Sequence, residues 1–300
     1  MPLKETLVLP NFICIGAQKT GTTALYHILK NHPEITVSKP RKETKFFYRD
    51  EEYKMGLEFY SKYFSYGDPK KAIGEFDPDY LYFPYVPERI FKDLGPKIKF
   101  IVILRNPVDR AYSHYKMSVK KGFENLEFLE AIAQEPSRLK SKKREDKNNF
   151  SYINRGMYDE QLKRYLKFFP KENFLFINYD EEFNKDLSLT LKKIFSFLAI
   201  TDVQLNTNIK ENIASDVKSE KIRNLVSKKN ILKQLASKVI PNKELRKSIK
   251  KKILNWNSEE SSMKPLDAKL KLELTKKHFT KSNDFLNKLI QKDFSNWSEQ

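Results

Sequence analysis

Residues 11–31 read NFICIGAQKTGTTALYHILKN, and this stretch decides the predicted fold. Residues 12–15 form a continuous apolar run, which is typical of a buried strand. Residues 16–21 (GAQKTG) begin and end with glycine and are called the glycine loop below. From Thr22 the apolar residues recur at helical spacing. A strand, such a loop and a helix in this order place backbone N–H groups and the positive end of a helix dipole around an anion. The stretch therefore predicts a phosphate-type anion site.

The spacing of the glycine loop resembles the Walker A pattern, in which a glycine and four further residues precede Gly-Lys-Ser/Thr. Gly16, Gly21 and Thr23 occupy matching positions, but Thr22 stands in the lysine position and the lysine lies earlier, at Lys19. A lysine at that point approaches an anion from the side of the loop rather than from the first helical turn. We therefore predict anion binding without the magnesium-nucleotide geometry of an NTPase. A tight turn with a solvated lysine is the alternative.

A second apolar run, residues 99–104 (KFIVIL), predicts a central parallel strand. In a kinase or ATPase such a strand usually ends in an acidic magnesium ligand, whereas here it is followed by Arg105. An arginine there is well placed for an anion at the crevice of an α/β sheet and makes a two-pronged contact to phosphate. Pro107 suits the first position of the next helix, which puts Ser113 about two turns in as a hydroxyl donor. The alternative is a surface arginine paired with Asp109.

These two strand–turn–helix units resemble those of the sulfotransferases that use 3′-phosphoadenosine 5′-phosphosulfate (PAPS). The match consists of KTGTT at residues 19–23 and of LRNP at residues 104–107 with a serine at 113. The resemblance implies a P-loop-like three-layer α/β fold, with a central parallel sheet flanked by helices and a basic helical C-terminal part. It also implies that Arg105 and Ser113 bind the 3′-phosphate and that the 5′ end of the donor is bound by Lys19, Thr20, Gly21, Thr22 and Thr23. No metal is implied, because the donor has no triphosphate to coordinate.

The sequence is most similar to the carbohydrate-type branch of that family, which includes the heparan sulfate sulfotransferases, and looks like a bacterial-type soluble member. In that branch a Lys-Glu pair followed by aromatic residues comes soon after the first helix, and here residues 42–47 read KETKFF. The family glutamate is the general base that takes a proton from the acceptor hydroxyl, which makes Glu43 the candidate. A salt-bridged surface glutamate is the alternative.

A further motif of the same branch, Glu-Lys-Ser/Thr-Pro-x-Tyr, matches residues 75–80 in part. Glu75, Pro78 and Tyr80 fit the pattern, but Phe76 and Asp77 stand where lysine and Ser/Thr are expected. The family lysine is implied to act near the sulfate or the acceptor. The departure therefore bears on the acceptor class more than on the donor site.

Length and composition agree with one large α/β domain that has a helical extension. We predict a single domain over residues 1–300, with an α/β core and the donor site in 1–200 and a helical part in 201–300 packed on it. The formal net charge of +18 indicates attraction to polyanions such as acidic substrates, nucleic acid or an anionic membrane surface. A single cysteine, Cys14, excludes an internal disulfide framework.

The sequence shows neither a secretion signal nor an apolar stretch approaching the roughly 20 residues of a membrane span. We therefore expect a cytoplasmic enzyme without a transmembrane segment, and we leave peripheral contact with an anionic membrane open.

Two segments are dense in basic residues. Residues 137–149 (SRLKSKKREDKNN) almost lack apolar side chains, which predicts a solvated, mobile loop; a lid over an anionic glycan is the alternative. Residues 217–254 are helical by spacing and rich in lysine. The resemblance implies that a segment beginning near Asn212 contacts the adenine and the 3′-phosphate, without indicating which lysine or arginine does so.

We predict in-line sulfuryl transfer from PAPS to a hydroxyl or amine of a saccharide or glycolipid. Lys19 supports the leaving phosphate as negative charge grows there, and Glu43 removes the acceptor proton.

Two other functional classes stay open. One is a P-loop kinase or NTPase, which the position of Lys19 disfavours. The other is a nucleic-acid-binding module, for which the basic segments lack interleaved aromatic stacking positions. The sequence does not identify the acceptor, distinguish oxygen from nitrogen sulfation or indicate the oligomeric state.

Overall fold

The computed structural model describes residues 7–66, 70–141, 143–207, 265–292, 294 and 297, and the backbone of residues 215–217 and 258–260. The strands are β1 Phe12–Gly16, β2 Ile35–Val37, β3 Ala72–Phe76, β4 Lys99–Leu104, β5 Phe174–Asn178, β6 Ser215–Val217 and β7 Ser258–Glu260. The α-helices are α1 Thr22–Leu29, α2 Asp50–Tyr53, α3 Gly56–Ser61, α4 Val86–Leu94, α5 Pro107–Lys120, α6 Phe128–Leu139, α7 Arg144–Phe150, α8 Tyr158–Tyr165, α9 Leu187–Leu198, α10 Ala268–His278 and α11 Thr280–Ile290. The described residues also form two 3-10 turns, Asn154–Gly156 and Lys171–Asn173, and a π-helix, Tyr179–Asn184.

Five parallel strands form the central sheet in the order β2-β3-β1-β4-β5. Strand β1 lies between β3 and β4, with Phe12 opposite both Gly74 and Lys99. Position 74 requires glycine, because a Cβ atom there would lie 2.0 Å from the ring of Phe12. Since the strands are parallel, their carboxyl ends meet at one edge of the sheet. The turns that follow β1, β3, β4 and β5 all lie at that edge.

The chain divides into two compact units, and the first comprises residues 1–110, 155–209 and 269–300. Its sheet separates two apolar cores. On one face, α1 and α9 pack on the side chains of Phe12 and Cys14. On the other, α4, α8 and α11 surround the side chains of Ile13 and Ile15. The side chains of β1 alternate between the two faces, as expected for a strand covered by helices on both sides. The predicted three-layer α/β fold with a central parallel sheet is confirmed.

The second unit comprises residues 111–154 and 210–268. A buried carboxylate organises its described part: Glu124 accepts hydrogen bonds from Arg138 (2.5 Å) and from the Tyr152 hydroxyl (2.8 Å). Burial alone would favour the neutral acid, but these hydrogen bonds and the charge of Arg138 lower the pKa of Glu124 below its ordinary value. Strands β6 and β7 pair antiparallel in the same unit.

The prediction of a mobile loop over residues 137–149 is wrong. Helix α6 reaches Leu139, and α7 forms over Arg144–Phe150. Contacts from other elements stabilise this segment: the carbonyl oxygen of Asn148 lies 3.0 Å from His114 Nε2, and that of Asn149 accepts a hydrogen bond from Ser118. Because these contacts are polar and distant in sequence, apolar periodicity carries no sign of them.

The predicted basic helical segment 217–254, Asn212 and the lysine or arginine expected to contact the donor lie outside the residues whose side chains are described. The division into a core over 1–200 and a helical part over 201–300 therefore stays a prediction. Within the described ranges, no helix combines the length and the apolar character needed to cross a bilayer.

Candidate functional site

The glycine loop connects β1 to α1 at the carboxyl edge of the sheet. Lys19 and Gly21 both adopt left-handed backbone conformations, with φ of +75° and +79°. The buried hydroxyl of Thr20, between them, donates a 2.7 Å hydrogen bond to the carbonyl of Ala17 and closes the loop on itself. Gly21, the residue at the N-terminal cap of α1, makes no side-chain hydrogen bond to the first turn. The N–H groups of that turn can therefore face an anion, in the arrangement by which helix N-termini bind phosphate.

Gly21 is fixed at the start of α1 by space as well as by conformation. A Cβ atom at this position would lie 2.6 Å from Cε1 of Phe183, in addition to the strain of a positive φ. The aromatic ring that crowds it belongs to the π-helix after β5. The loop is thus packed against the neighbouring crossover of the sheet.

Arg105, the first residue after β4, contacts the glycine loop directly. Its Nη1 donates a 3.4 Å hydrogen bond to the carbonyl oxygen of Lys19, and its guanidinium carbon lies 4.8 Å from the ring centre of Tyr179. Its Nε is buried and has no hydrogen-bond partner among the described residues. Asp109, the partner considered for a surface arginine, forms an ion pair with Lys271 at 2.8 Å. The structure therefore brings two of the predicted donor-binding positions, 19 and 105, to one place.

The remaining predicted donor-site residues differ in exposure and in location. Thr22 is buried at the start of α1, whereas the neighbouring Thr23 is exposed. Ser113 is the seventh residue of α5, is half-buried, and belongs to the second unit. Its part in a 3′-phosphate site, like the other assigned roles, stays a prediction.

Glu43 lies in the segment that joins β2 to α2, and residues 42–45 are called the Glu43 turn below. Lys42 links this turn to the helix that follows the glycine loop. Its Nζ is 3.1 Å from Glu43 Oε1 and 3.3 Å from Thr23 Oγ1 in the first turn of α1. The Glu43 side chain keeps 34% of its surface exposed, so its carboxylate is open to solvent and to an incoming molecule. The salt bridge that was considered as the alternative role of Glu43 is therefore present. Its partner, Lys42, also contacts the first turn of α1.

Two buried carboxyls at the end of β3 accept hydrogen bonds from the Glu43 turn and hold it in place. Glu75 accepts hydrogen bonds from the Thr44 backbone N–H (3.3 Å), the Thr44 hydroxyl, and the hydroxyls of Tyr60 and Tyr80. Asp77 accepts a 3.1 Å hydrogen bond from the Lys45 backbone N–H. All four residues of the turn are thus fixed or paired by side-chain contacts.

Both of these carboxyls have perturbed acidities. Complete burial raises the pKa of Glu75 to about 7, against the lowering effect of its hydrogen-bond donors. Burial, and next the negative charge of Glu43, raise the pKa of Asp77 well above its ordinary value. Pairs of acidic groups with shifted pKa values are characteristic of functional sites.

Phe76 occupies the position at which the resembling motif carries a lysine, and its side chain is completely buried. Its ring packs edge-on against Phe12 at 5.9 Å and Tyr26 at 5.5 Å, on the α1 face of the sheet. A cation at this position would be enclosed in an apolar core. The departure from the motif is therefore built into the packing of this chain.

Sequence reasoning did not identify Tyr179 or Lys42 as parts of the site. Tyr179 directly follows β5, whose carboxyl end meets those of β1 and β4, and that position was the available signal. Lys42 stands beside the candidate base, but its contact with Thr23 depends on how α1 and the Glu43 turn pack.

The fold and the site define an α/β protein with a candidate anion site at the carboxyl edge of a parallel sheet and an acid beside it. The chain belongs to the sulfotransferase domain family, whose model matches residues 9–297. This confirms the predicted family.

Known relatives include two animal enzymes named for heparan sulfate. Mouse heparan sulfate glucosamine 3-O-sulfotransferase 5 is 34% identical over 175 residues, covering 57% of this chain and 48% of that protein. Human bifunctional heparan sulfate N-deacetylase/N-sulfotransferase 2 is 30% identical over 204 residues, covering 64% of this chain and 22% of that protein. The chain thus spans about half the length of the first relative and a smaller part of the second.

Among solved structures, a sulfotransferase from Alicyclobacillus acidocaldarius superimposes on this chain with a TM-score of 0.69 at 26% identity. The match covers 96% of this chain and 98% of that one. The similarity extends over nearly the full length of both proteins.

Proposed function

We propose that this protein transfers a sulfuryl group from PAPS to a hydroxyl or amine of a saccharide, with Glu43 as the general base. The observation that carries the proposal is the hydrogen bond from Arg105 to the carbonyl of Lys19, because it joins the turns after β1 and β4 into one anion-binding crevice. The names of the two animal relatives support a heparan-sulfate-type saccharide as acceptor. A glycolipid headgroup, which offers the same hydroxyl chemistry, is the second acceptor to be tried.

The residues present fit a doubly anionic nucleotide. The uncapped N-terminus of α1 and the left-handed residues of the glycine loop suit the 5′-phosphosulfate end. The buried, unpartnered Nε of Arg105 supplies a donor for the 3′-phosphate, and the Ser113 hydroxyl is proposed to add a second. When bound, PAPS supplies an activated sulfuryl group with a phosphate as its leaving group.

The protein's own groups have separate tasks in this reaction. Lys19 and the loop N–H groups stabilise the negative charge that grows on the leaving phosphate, and fixed donors of this kind contribute about 100- to 1,000-fold in rate. Glu43 accepts the acceptor proton at its exposed carboxylate, which contributes about 100- to 10,000-fold. The contacts of Thr44 with Glu75 and of Lys45 with Asp77 hold that carboxylate in place.

The test is mass-detected sulfate transfer from PAPS to a panel of heparan-sulfate-type oligosaccharides and glycolipid headgroups. We expect Glu43→Gln to lower kcat by about 100- to 10,000-fold while leaving the affinity for the product nucleotide 3′-phosphoadenosine 5′-phosphate (PAP) unchanged. Glu58→Gln, which alters an exposed glutamate on α3, is the matched control and keeps parental kcat.

Calorimetry with PAP and with ATP plus Mg²⁺ tests the donor assignment independently of the assignment of the base. A parent protein that binds ATP and magnesium but not PAP contradicts the proposed donor. A Glu43→Gln variant with parental kcat contradicts the proposed base and leaves the donor assignment standing. The cytoplasmic location and the independence from metal stay predictions.

A further inference from the structure

Lys42 matches the lysine of the Lys-Glu pair in the family pattern, but none of the roles proposed above uses its side chain. Its side chain is only 15% exposed, and its Nζ lies between Thr23 Oγ1 at 3.3 Å and Glu43 Oε1 at 3.1 Å. Thr23 belongs to the uncapped first turn of α1, where the donor's 5′ end is proposed to bind. Glu43 is the proposed base. The ammonium therefore stands between the two groups that must meet for transfer to occur.

Neighbouring cations in the same segment point elsewhere. Lys39 lies over the ring of Tyr66 with its Nζ 4.4 Å from the ring centre, and Arg41 lies over the ring of Tyr63 at 5.2 Å. Lys42, by contrast, contacts Thr23 at the first turn of α1, and its charge opposes the burial that raises the pKa of Cys14 in β1 to about 12.

An ammonium group has three N–H donors. Within the described ranges, Lys42 directs two of them to Thr23 and Glu43. A third donor is left for a ligand. Because the side chain has low exposure, its electrostatic attraction to an anion is stronger than that of an ammonium in open water. A sulfonyl oxygen placed between the first turn of α1 and the Glu43 carboxylate is the group that matches this donor.

We propose that Lys42 is a further catalytic residue that binds the sulfuryl group during transfer; this inference rests on the proposed function. In the step, a lone pair of the acceptor oxygen forms the new O–S bond while the S–O bond to the donor phosphate breaks. The electron pair of the broken bond stays on the phosphate oxygen, and the acceptor proton goes to the Glu43 carboxylate. The ammonium group of Lys42 stabilises the negative charge on the sulfonyl oxygens.

The experiment compares binding of PAPS and PAP, which differ by the sulfuryl group alone. Calorimetry without acceptor is carried out on the parent, Lys42→Met, Lys42→Arg and the control Lys39→Met. We expect Lys42→Met to weaken PAPS binding by about 10- to 100-fold and to leave PAP binding within about twofold of the parent. Lys42→Arg retains most of the PAPS affinity, and Lys39→Met matches the parent for both nucleotides.

Turnover and folding complete the test. With a saccharide acceptor, kcat of Lys42→Met should fall by about 100-fold or more, while circular dichroism confirms the parental fold. Equal weakening of PAPS and PAP, or no weakening of either, overturns the role of Lys42 and leaves the proposed function intact. A parent protein that binds neither nucleotide overturns the proposed function itself.

Discussion

The glycine loop and the Glu43 turn both follow strands at the carboxyl edge of the sheet, but they are held in different ways. Within the six residues of the glycine loop, positive φ angles at Lys19 and Gly21 set the shape, and the Thr20 hydroxyl closes it. The Glu43 turn depends on Glu75 and Asp77, two buried carboxyls more than thirty residues away along the chain. The first is shaped mainly by local stereochemistry, the second by tertiary contacts.

The two regions also differ in charge. The glycine loop presents Lys19 and backbone N–H groups to an anion, while Glu43 lies close to the buried acid Asp77. Lys42 is the described side chain that joins them. A transferase needs both characters at adjacent places, because it must bind an anionic donor and remove a proton from the acceptor.

The largest expected effect concerns the local stereochemistry of the glycine loop. Gly21→Ala combines a strained positive φ, about 1–2 kcal/mol, with crowding against Phe183, about 1–3 kcal/mol. We expect the free energy of unfolding to fall by about 2–5 kcal/mol and PAP affinity to fall with it. Gly95→Ala is the matched control, because Gly95 has φ of +77° but no atom within 4 Å of its Cβ position. Denaturant titration of both variants makes the comparison; equal losses would show that Phe183 does not constrain the loop.

The next effect concerns the buried acid beneath the Glu43 turn. Burial raises the pKa of Glu75 from 4.5 to about 7, so the folded chain holds this proton more tightly than the unfolded one. Its contribution to stability is complete below about pH 4.5 and is lost as the pH rises to about 7, amounting to at most about 3 kcal/mol. Glu75→Gln should remove this part of the pH dependence of the unfolding free energy.

Glu124→Gln provides the control of opposite sign. Because the pKa of Glu124 is lowered in the folded chain, its contribution is present at neutral pH and is lost as the pH falls through the lowered value. Denaturant titrations from about pH 3 to pH 8 compare the two variants and include the acidic range in which Glu124 loses its contribution. If Glu75→Gln retains the parental decline between pH 4.5 and 7, another group controls that decline.

A smaller effect is expected for the arginine that contacts the glycine loop. Arg105→Ala should weaken PAP binding by about 10- to 100-fold through loss of a charged hydrogen bond. It should weaken adenosine 5′-phosphate much less, because that nucleotide lacks the 3′-phosphate. Arg89→Ala is the matched control, since Arg89 also lies over a tyrosine ring, that of Tyr85, at 4.6 Å. Calorimetry that finds both nucleotides weakened equally by Arg105→Ala would remove Arg105 from the 3′-phosphate site.

The smallest effect is expected for the serine on α5. Ser113→Ala deletes a neutral hydroxyl, so PAP binding should weaken by about 2- to 10-fold. Adenosine 5′-phosphate serves as the internal reference, because its affinity should not change. A parental ratio of the two affinities in this variant speaks against Ser113 as a 3′-phosphate ligand.

Sequence patterns predicted the sheet well where strands are buried on both faces. The run KFIVIL coincides with β4, and the apolar run at residues 12–15 lies within β1. The sequence patterns failed for α7, because a polar segment that predicted a loop forms a helix. The difference has a physical cause: burial of a strand leaves an apolar signature in the sequence, whereas hydrogen bonds from His114 and Ser118 to the carbonyls of α7 leave none.

By itself, the sequence determined the family, the parallel α/β core and the identity of the glycine loop, because glycine positions and apolar runs act over a few neighbouring residues. The tertiary structure decided which residues of distant segments meet: Arg105 with Lys19, Lys42 with Thr23, and Glu75 with the Glu43 turn. It also decided that Phe76 lies in the core. Such contacts arise from the packing of whole elements and from desolvation, and neither property belongs to any single stretch of the chain.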